Sequence, residues 1–469
     1  MKILFASAEA YPLAKVGGLG DVAGSLPKAL KALGHDVRLV LPRYGSIQEG
    51  AEIGPLSVAI GGEKHAGLLR TTMIGRVPVY LVDHRLFFDR PKIYEYDDDG
   101  KRFALFGRAI LDLLPVADWW PDVIHVNDWH TALAAAFLRT THAGDARYAR
   151  IRSVLTIHNL QHQGVFPREL FDWTGLPPET WNPEGVEFYG RFNFLKAGIV
   201  YADRVNTVSP TYAREIQTAE YGEGLDGLLR SRAAKLSGIL NGIDYDVWNP
   251  GKDTHLAQKY AKSTIEKKAK DKEALQKEMG LVVDPKAPLF GIVSRVAAQK
   301  GFDILQPALP EILALGAQVV LLGTGEKKYE EPLATLAGEG RGFAAALKYD
   351  EVLAHRIYAG SDFFLMPSRF EPCGLGQIIS LRYGTVPVVR ATGGLADTVT
   401  EISANREEGN GFVFTEYASE ELLATVRRGI ELYRQKRGWT SLRQRGMAMD
   451  LSWKASAAAY ADLYEAVTA

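Results

Sequence analysis

The sequence has a single cysteine, Cys373, among 469 residues. That excludes an internal disulfide and a cysteine-rich metal site, and it fits a reducing compartment. It also lacks a charge excess. Lys and Arg number 55 and Asp and Glu 56, for a net charge of −1, so there is no electrostatic case for nucleic acid or an anionic membrane as partner. No apolar run approaches the roughly 20 residues of a membrane helix. The first strand-like run begins at Lys2, which leaves no room for a leader peptide. A cytoplasmic protein is expected. No H-E-x-x-H or comparable ligand spacing occurs, so no metal is expected either.

Most of the chain is an alternation of apolar runs and helical spacing. At about three times the common domain size, it should hold two or more domains. The run Ile3-Leu4-Phe5-Ala6 leads into Lys15-Val16-Gly17-Gly18-Leu19-Gly20-Asp21, and an Ala/Leu segment with helical spacing continues through Leu33. This reads as strand, glycine loop, helix. The spacing Gly17, Gly18, Gly20 matches neither the dinucleotide nor the P-loop fingerprint. Taken alone, the loop serves equally as a packing turn or as a site where helix amides and Lys15 meet a phosphate or sugar. A second copy tips the balance: Pro387-Val388-Val389 leads into Thr392-Gly393-Gly394-Leu395-Ala396-Asp397. Two such devices in two halves suggest two α/β units addressing one ligand.

Other apolar runs end in polar clusters: Val123 to Val126 before Asn127-Asp128-Trp129-His130, Ser153 to Ile157 before His158-Asn159, Arg204 to Ser209, and Leu236 to Asn241-Gly242. In parallel α/β sheets, ligands lie outside the carboxyl ends of the strands. Strand and helix alternation predicts doubly wound parallel sheets. An aromatic, acidic stretch from Phe87 to Gly100 reads as a mobile lid, a sugar-stacking surface or a solvated insertion. Lys252 to Gly280, with lysines 259, 262, 267, 268, 270, 272 and 277 interleaved with acids, reads as a solvated helical connector. A second α/β unit opens at Leu289 and runs through Val319 to Gly323, Phe363 to Met366 and Val386 to Val389. The Ala/Tyr-rich amphipathic helix Trp453 to Val467 could dock back on the first unit.

In the second unit, Arg295 and Lys300 lie between a strand end and a helix start, a suitable clamp for a diphosphate. Glu371, followed by proline and glycines, can be held rigidly and offered to sugar hydroxyls. Each residue also has a plainer reading. His130 and His158 would be ordinary hydrogen-bonded histidines, Asp128 a helix N-cap, Arg295 and Lys300 surface ion-pair partners, and Cys373 a small packing residue. Together, at strand ends in two units, they compose an anion-plus-polyol site.

The blocks Lys15 to Val22, Asp128-Trp129-His130, Thr156 to Leu160, Leu240 to Asp244, Ser294-Arg295 with Gln299-Lys300-Gly301, Ser368 to Leu375 and Thr392 to Val399 resemble, in order along nearly the whole chain, the bacterial glycogen synthase and plant starch synthase family. The resemblance implies the GT-B architecture: two Rossmann-like domains, here 1–248 and 249–451, with helix 452–469 returning to the first, and a site in the cleft. It implies retaining transfer of glucose from a nucleotide sugar, ADP-glucose, to the non-reducing end of an α-1,4-glucan such as glycogen, without metal or other cofactor. Carried onto matching positions, Lys15, Gly17, Gly18 and Asp21 approach phosphate and sugar, and Arg295 and Lys300 stabilise the leaving diphosphate. His158 and Glu371 hold the glucosyl hydroxyls, and Asn241 lies near the sugar. Tyr349 stacks near the adenine, Cys373, Gly374 and Leu375 line the donor, and Asp128, Trp129 and Asn159 line the donor and acceptor side. The catalytic set is thus Lys15, His158, Arg295, Lys300 and Glu371.

Two departures stand out. Gly376 replaces the family's usual Thr, removing one hydroxyl. Ile379 stands where many retaining GT-B transferases carry a second Glu, which favours the synthases over sucrose- or trehalose-type relatives. Competing readings are a GT-B glucosyltransferase with another donor, and a silent glucan-binding protein. A glucan phosphorylase is disfavoured by the lack of a matching lysine motif for its pyridoxal cofactor.

Overall fold

The computed structural model describes all 469 residues. Residue contacts divide the chain into two units, Met1–Asn241 with Trp453–Ala469, and Gly242–Ser452. Residues 242–248, grouped with the first half on sequence, make their contacts within the second.

The first unit contains β1 (Lys2–Ala6), β2 (Asp36–Pro42), β3 (Ala51–Ile60), β4 (Glu63–Ile74), β5 (Val77–Asp83), β6 (Val123–Asn127), β7 (Arg152–Ile157), β8 (Val165–Phe166), β9 (Glu187–Phe188), β10 (Arg191–Asn193), β11 (Arg204–Thr207) and β12 (Leu236–Gly238). Nine of these form one sheet in the order β12-β11-β7-β6-β1-β2-β5-β4-β3. It is parallel from β12 to β5 and closes with antiparallel β4 and β3. The central strands read as unbroken apolar runs because both faces are covered, and Ile3 to Ala6 are fully buried. Strand β3 escaped the sequence reading. Gly54 and Pro55 interrupt it, with a register irregularity between Glu52 and Gly54, and its alternating burial marks a half-covered edge.

Helix Trp453–Thr468 belongs to this unit. Its buried face supplies Tyr464, whose hydroxyl lies 2.7 Å from His125 Nδ1, and Tyr460, whose hydroxyl accepts from Asn206 Nδ2 at 3.1 Å.

The stretch 87–100 is partly exposed and is pinned at several points. Fully buried Arg102 donates to the carbonyls of Phe87 and Ile93 at 2.7 and 3.1 Å and pairs with Asp99. Arg90 grips Asp98 through two hydrogen bonds of 2.6 and 2.7 Å, the bidentate arrangement that fixes geometry as well as charge.

The second unit contains β13 (Leu289–Val293), β14 (Gln318–Leu322), β15 (Phe343–Ala346), β16 (Phe363–Met366), β17 (Val386–Arg390) and β18 (Phe412–Phe414). They form a parallel sheet in the order β15-β14-β13-β16-β17-β18. The expected solvated connector needs correction. Lys272 Nζ lies 2.7 Å from Asp362 Oδ2 and also donates to the Ala287 carbonyl and the Tyr433 hydroxyl. Lys268 Nζ donates to the carbonyls of Tyr358 and Ala359 and to Thr385 Oγ1. Both lysines are buried, and each is tolerated because its donors are satisfied. They stand four residues apart on the face that also carries buried Ile265 and Leu275, a helical pairing that a count of mixed charges cannot reveal.

In the parallel part of each sheet the strand order reverses once: at β1, flanked by β2 and β6, and at β13, flanked by β14 and β16. Such switch points open crevices at the carboxyl ends of the strands.

Candidate functional site

In the first unit, the carboxyl ends of β1, β6 and β7 carry most of the candidates. After β1 the chain passes Glu9 and returns through Lys15 to Gly18 into helix Gly18–Ala32. Glu9 is 4% exposed. Its Oε2 accepts from the amides of Val16 and Gly17 at 2.6 and 2.8 Å, and its Oε1 accepts from the Tyr94 hydroxyl at 2.7 Å. Two amides of the glycine loop, ahead of the helix, are therefore turned inward onto the protein's own carboxylate. Lys15 Nζ lies 2.7 Å from Asp21, and Asp21 stands in the first helical turn, where the dipole favours it.

Gly17 and Gly18 are exposed, and a Cβ on either would meet open space. Gly17 is extended, with φ −136°. Neither backbone conformation nor packing calls for glycine at these positions, so the pair leaves room for a group arriving from outside. Gly24, by contrast, is a packing glycine, because a Cβ there would sit 2.6 Å from the Tyr11 carbonyl oxygen.

Asp128 does not cap its helix with its side chain. The cap position of helix Asp128–Arg139 is Asn127, and Asp128 itself is left-handed, with φ 54°. Its Oδ1 accepts from the His158 amide at 2.7 Å, tying the end of β6 to the end of β7. Burial pushes the Asp128 carboxyl up to about 7; hydrogen bonds from the His158 and Asn159 amides oppose the shift, and the Glu9 charge adds to it. A strained, buried carboxylate at a strand end is a frequent mark of a working site.

His158 Nε2 lies 2.9 Å from Asn127 Oδ1. The Asn127 amide nitrogen donates to the Ala6 carbonyl at 3.0 Å, which leaves its oxygen as acceptor. His158 is thereby assigned as the Nε2–H tautomer, with Nδ1 as an acceptor. Desolvation lowers its pKa to about 3, so the ring is neutral at physiological pH. His130 is not the hydrogen-bonded histidine of the plainer reading, since its Nδ1 is buried without a hydrogen-bond partner. It is buried, 4.7 Å from the Tyr94 ring and 4.0 Å from Trp129 by centroids. The half-buried Trp129 ring packs on Phe103, Phe166 and Phe194. Asn159 Oδ1 accepts from the Gln161 amide at 3.1 Å. Asn241 is buried with its side-chain oxygen unpartnered.

In the second unit, the ends of β13 and β16 bring two predicted residues into contact. Lys300 Nζ lies 2.6 Å from Glu371 Oε2, with side chains 18% and 7% exposed. Ser368 Oγ donates to the same oxygen at 3.1 Å. The exposed Arg295 donates to Gln299 Oε1 at 2.9 Å. Lys300 is thus paired within the candidate site and not with a surface acid.

The Glu371 turn rests on the second glycine loop. Gly393 has φ 44°, and a Cβ there would collide with the Glu371 carbonyl; a Cβ on Gly394 would collide with the Cys373 carbonyl. Cys373 is buried. Gly374 is left-handed at φ 72°, and the Gln377 side chain closes the turn by donating to the carbonyls of Cys373 and Gly374 at 2.9 and 3.0 Å. At Gly376, a Cβ would come within 2.8 Å of the Phe364 ring and 3.2 Å of Met366 Sδ; aromatic and thioether surface fills the place a side chain would take. Leu375 is the cap residue of helix Gly376–Arg382. Tyr349 is 76% exposed, next to Asp350, which caps helix Glu351–Gly360.

Sequence reasoning missed Glu9, Asn127 and Ser368. Glu9 stands among small apolar residues with no motif around it, and Asn127 and Ser368 act on residues that only the fold brings near. No three His, Cys, Asp or Glu side chains cluster as a metal-holding group, and no helix is long and apolar enough to cross a membrane.

Comparisons with known proteins agree in direction. A family model described as starch synthase catalytic domain matches residues 2–231, and one described as glycosyl transferases group 1 matches 275–441. A glycogen synthase from Moorella thermoacetica is 49% identical over 99% of this chain and 96% of its own length. One from Desulforamulus reducens is 45% identical over 99% and 98%. Among solved structures, the catalytic domain of starch synthase IV from Arabidopsis thaliana, bound to ADP and acarbose, superposes with a TM-score of 0.93 at 35% identity, covering 100% of this chain and 99% of that one.

Proposed function

The chain belongs to the glycogen and starch synthase family, and we propose that it transfers glucose from ADP-glucose to the non-reducing end of an α-1,4-glucan with retention of configuration. The observation that carries this reading is the Lys300–Glu371 pair, backed by Ser368, at the carboxyl ends of the two switch-point strands of the second unit.

As the bond from the glucosyl carbon to the diphosphate breaks, negative charge gathers on the leaving oxygen. Arg295 and Lys300 neutralise it, supplying with side chains what a metal would otherwise supply. Glu371 accepts from glucosyl hydroxyls while holding Lys300 in place. In the first unit, Lys15 and the open Gly17-Gly18 surface receive the donor, and neutral His158 offers Nδ1 as acceptor to a sugar hydroxyl. The acceptor hydroxyl attacks from the face the diphosphate leaves, its oxygen bonding to the glucosyl carbon. Its proton passes to the departing phosphate oxygen. A trapped covalent glucosyl-enzyme would defeat this step. Asp128, Trp129 and Asn159 line the glucan side, Asn241 the sugar, and Tyr349 the adenine. The protein needs no cofactor for this chemistry and works in the cytoplasm.

The test is nucleotide release from ADP-glucose with and without glycogen, for the unaltered protein and for Glu371→Ala. Release that requires glycogen and collapses in the variant is expected. Release with UDP-glucose alone would keep the chemistry and change the donor. Glycogen binding without release from either donor would make the chain a silent glucan-binding protein.

A further inference from the structure

Glu9 appears in no part of the reaction described above, yet its carboxylate joins three segments. It sits just beyond β1, is 4% exposed, and uses both oxygens. Oε2 holds the Val16 and Gly17 amides at 2.6 and 2.8 Å; Oε1 holds the Tyr94 hydroxyl at 2.7 Å. Removal from water raises the Tyr94 hydroxyl well above its ordinary pKa, so Tyr94 remains the donor. Tyr94 in turn packs against buried His130, at the start of the helix that follows β6.

The amides held by Glu9 belong to the two residues that follow Lys15. Gly17, the second of them, is the cap residue of the helix opening at Gly18. A Cβ at Gly17 or Gly18 would meet open space, so side-chain packing at these two positions does not hold the loop's outer surface. The carboxylate beneath it does, through charge-assisted hydrogen bonds that form before any ligand arrives. A buried anion also opposes the positive field of the two amides from inside, and the Lys15–Asp21 pair is the loop's charged group toward solvent.

We propose that Glu9 is the positioning residue of the donor loop: its carboxylate fixes Lys15 to Gly18 in the conformation that meets the nucleotide sugar, and through Tyr94 it couples that loop to the segment 87–100. This rests on the reading of the loop as part of the donor site. Supporting groups of this kind are worth about 10–100-fold in affinity or activity where they have been measured at metal centres, and about 1 Å of misplacement costs on the order of a hundredfold in rate.

The experiment uses the full chain and three variants, Glu9→Ala, Glu9→Gln and Tyr94→Phe. Three quantities are read: amide hydrogen exchange at Val16 and Gly17, ADP affinity by calorimetry, and kcat and KM for ADP-glucose and glycogen separately. Glu9→Ala is expected to lose at least tenfold of the exchange protection at both amides. It should weaken ADP binding and lower kcat/KM for ADP-glucose by about a hundredfold, with KM for glycogen within about twofold of the unaltered protein. Glu9→Gln, whose carbonyl still accepts both amides, should recover most of each loss. Tyr94→Phe, which removes one hydrogen bond of three, should cost about three- to tenfold and serves if Glu9→Ala does not fold.

Unchanged exchange at the two amides in Glu9→Ala overturns the proposal. So does a fall in kcat that matches the fraction of folded protein while ADP affinity and both KM values stay put, because that is what a purely structural role does. If the unaltered protein neither binds ADP nor turns over ADP-glucose, the functional reading fails and takes this proposal with it. If the unaltered protein does both and the variants behave like it, this proposal fails alone.

Discussion

Two stretches of this chain look alike on paper and do opposite work. Gly17-Gly18-Leu19 and Gly393-Gly394-Leu395 both follow an apolar strand and both open a helix. Around the first pair, the space that side chains would fill is empty; around the second, it is occupied by the backbone of the turn that carries Glu371. No neighbour within the protein requires glycine at the first pair, whereas backbone already packed against the second requires it there. A repeated motif therefore does not imply a repeated device, and the direction of the missing side chain decides which job each loop performs.

The sharpest way to test this contrast is to make the same change twice. Gly394→Ala drives a methyl group into the Cys373 carbonyl and should cost ~3 kcal/mol or more of stability, with loss of activity, read by denaturant unfolding and nucleotide release. Gly18→Ala should leave stability within about 0.5 kcal/mol while raising KM for ADP-glucose. Equal destabilisation by the two would break the comparison.

Next in size are the lysines beside the two loops. Lys15→Ala and Lys300→Ala should each lower kcat by about a hundredfold or more, the usual consequence of removing one group that stabilises developing charge. Only Lys300→Ala should also lower the Tm clearly, because it strands the Glu371 carboxylate, 7% exposed, without its partner. The Lys15–Asp21 pair is 28% and 36% exposed and contributes little to stability.

The units should also differ in acid. Desolvation lowers His125 and His158 to about 3, below the unfolded value of 6.5. Their contribution to the first unit is complete above pH 6.5 and is lost as pH falls toward 3. In the second unit, burial pushes Asp253 up, but hydrogen bonds from His355 and Tyr383 outweigh it and hold the carboxyl below its ordinary 3.8. That contribution is lost only at still lower pH. Hydrogen exchange measured from pH 7 to pH 4 should therefore show the first unit losing protection while the second keeps it.

The smallest effect concerns Asp128. With its folded pKa raised to about 7, ionisation opposes folding; stability is full below the unfolded value and lost as pH rises through 7. Asp128→Asn, which tolerates a left-handed backbone and still accepts the His158 amide, should gain Tm over the unaltered protein at pH 8 and little at pH 4.

Much of this was legible in the sequence, and the limits follow a pattern. Strands such as Ile3 to Ala6 and the helix through Leu33 announce themselves because periodicity is a local property. The Lys300–Glu371 pair could be anticipated because both residues stand at strand ends, where parallel sheets gather their chemistry. Glu9 could not, since its partners lie seven to 85 residues away and share no spacing with it. Asp128 looked like a cap because Asp before a helix usually is one; only the φ of 54° shows it turned toward β7. Lys268 and Lys272 vanished into a run of mixed charge, although their helical spacing matched the neighbouring apolar face.

The returning helix Trp453–Thr468 has a consequence for the order in which the protein can be made. The chain leaves the first unit at Asn241 and re-enters it at Trp453. On the ribosome, the whole second unit emerges before Tyr460 and Tyr464 arrive to meet Asn206 and His125. At roughly 5–20 residues per second, the nascent first unit waits on the order of ten seconds or longer with those polar groups uncovered. The second unit, contiguous in sequence, can fold in that interval, so the part synthesised first is the part completed last.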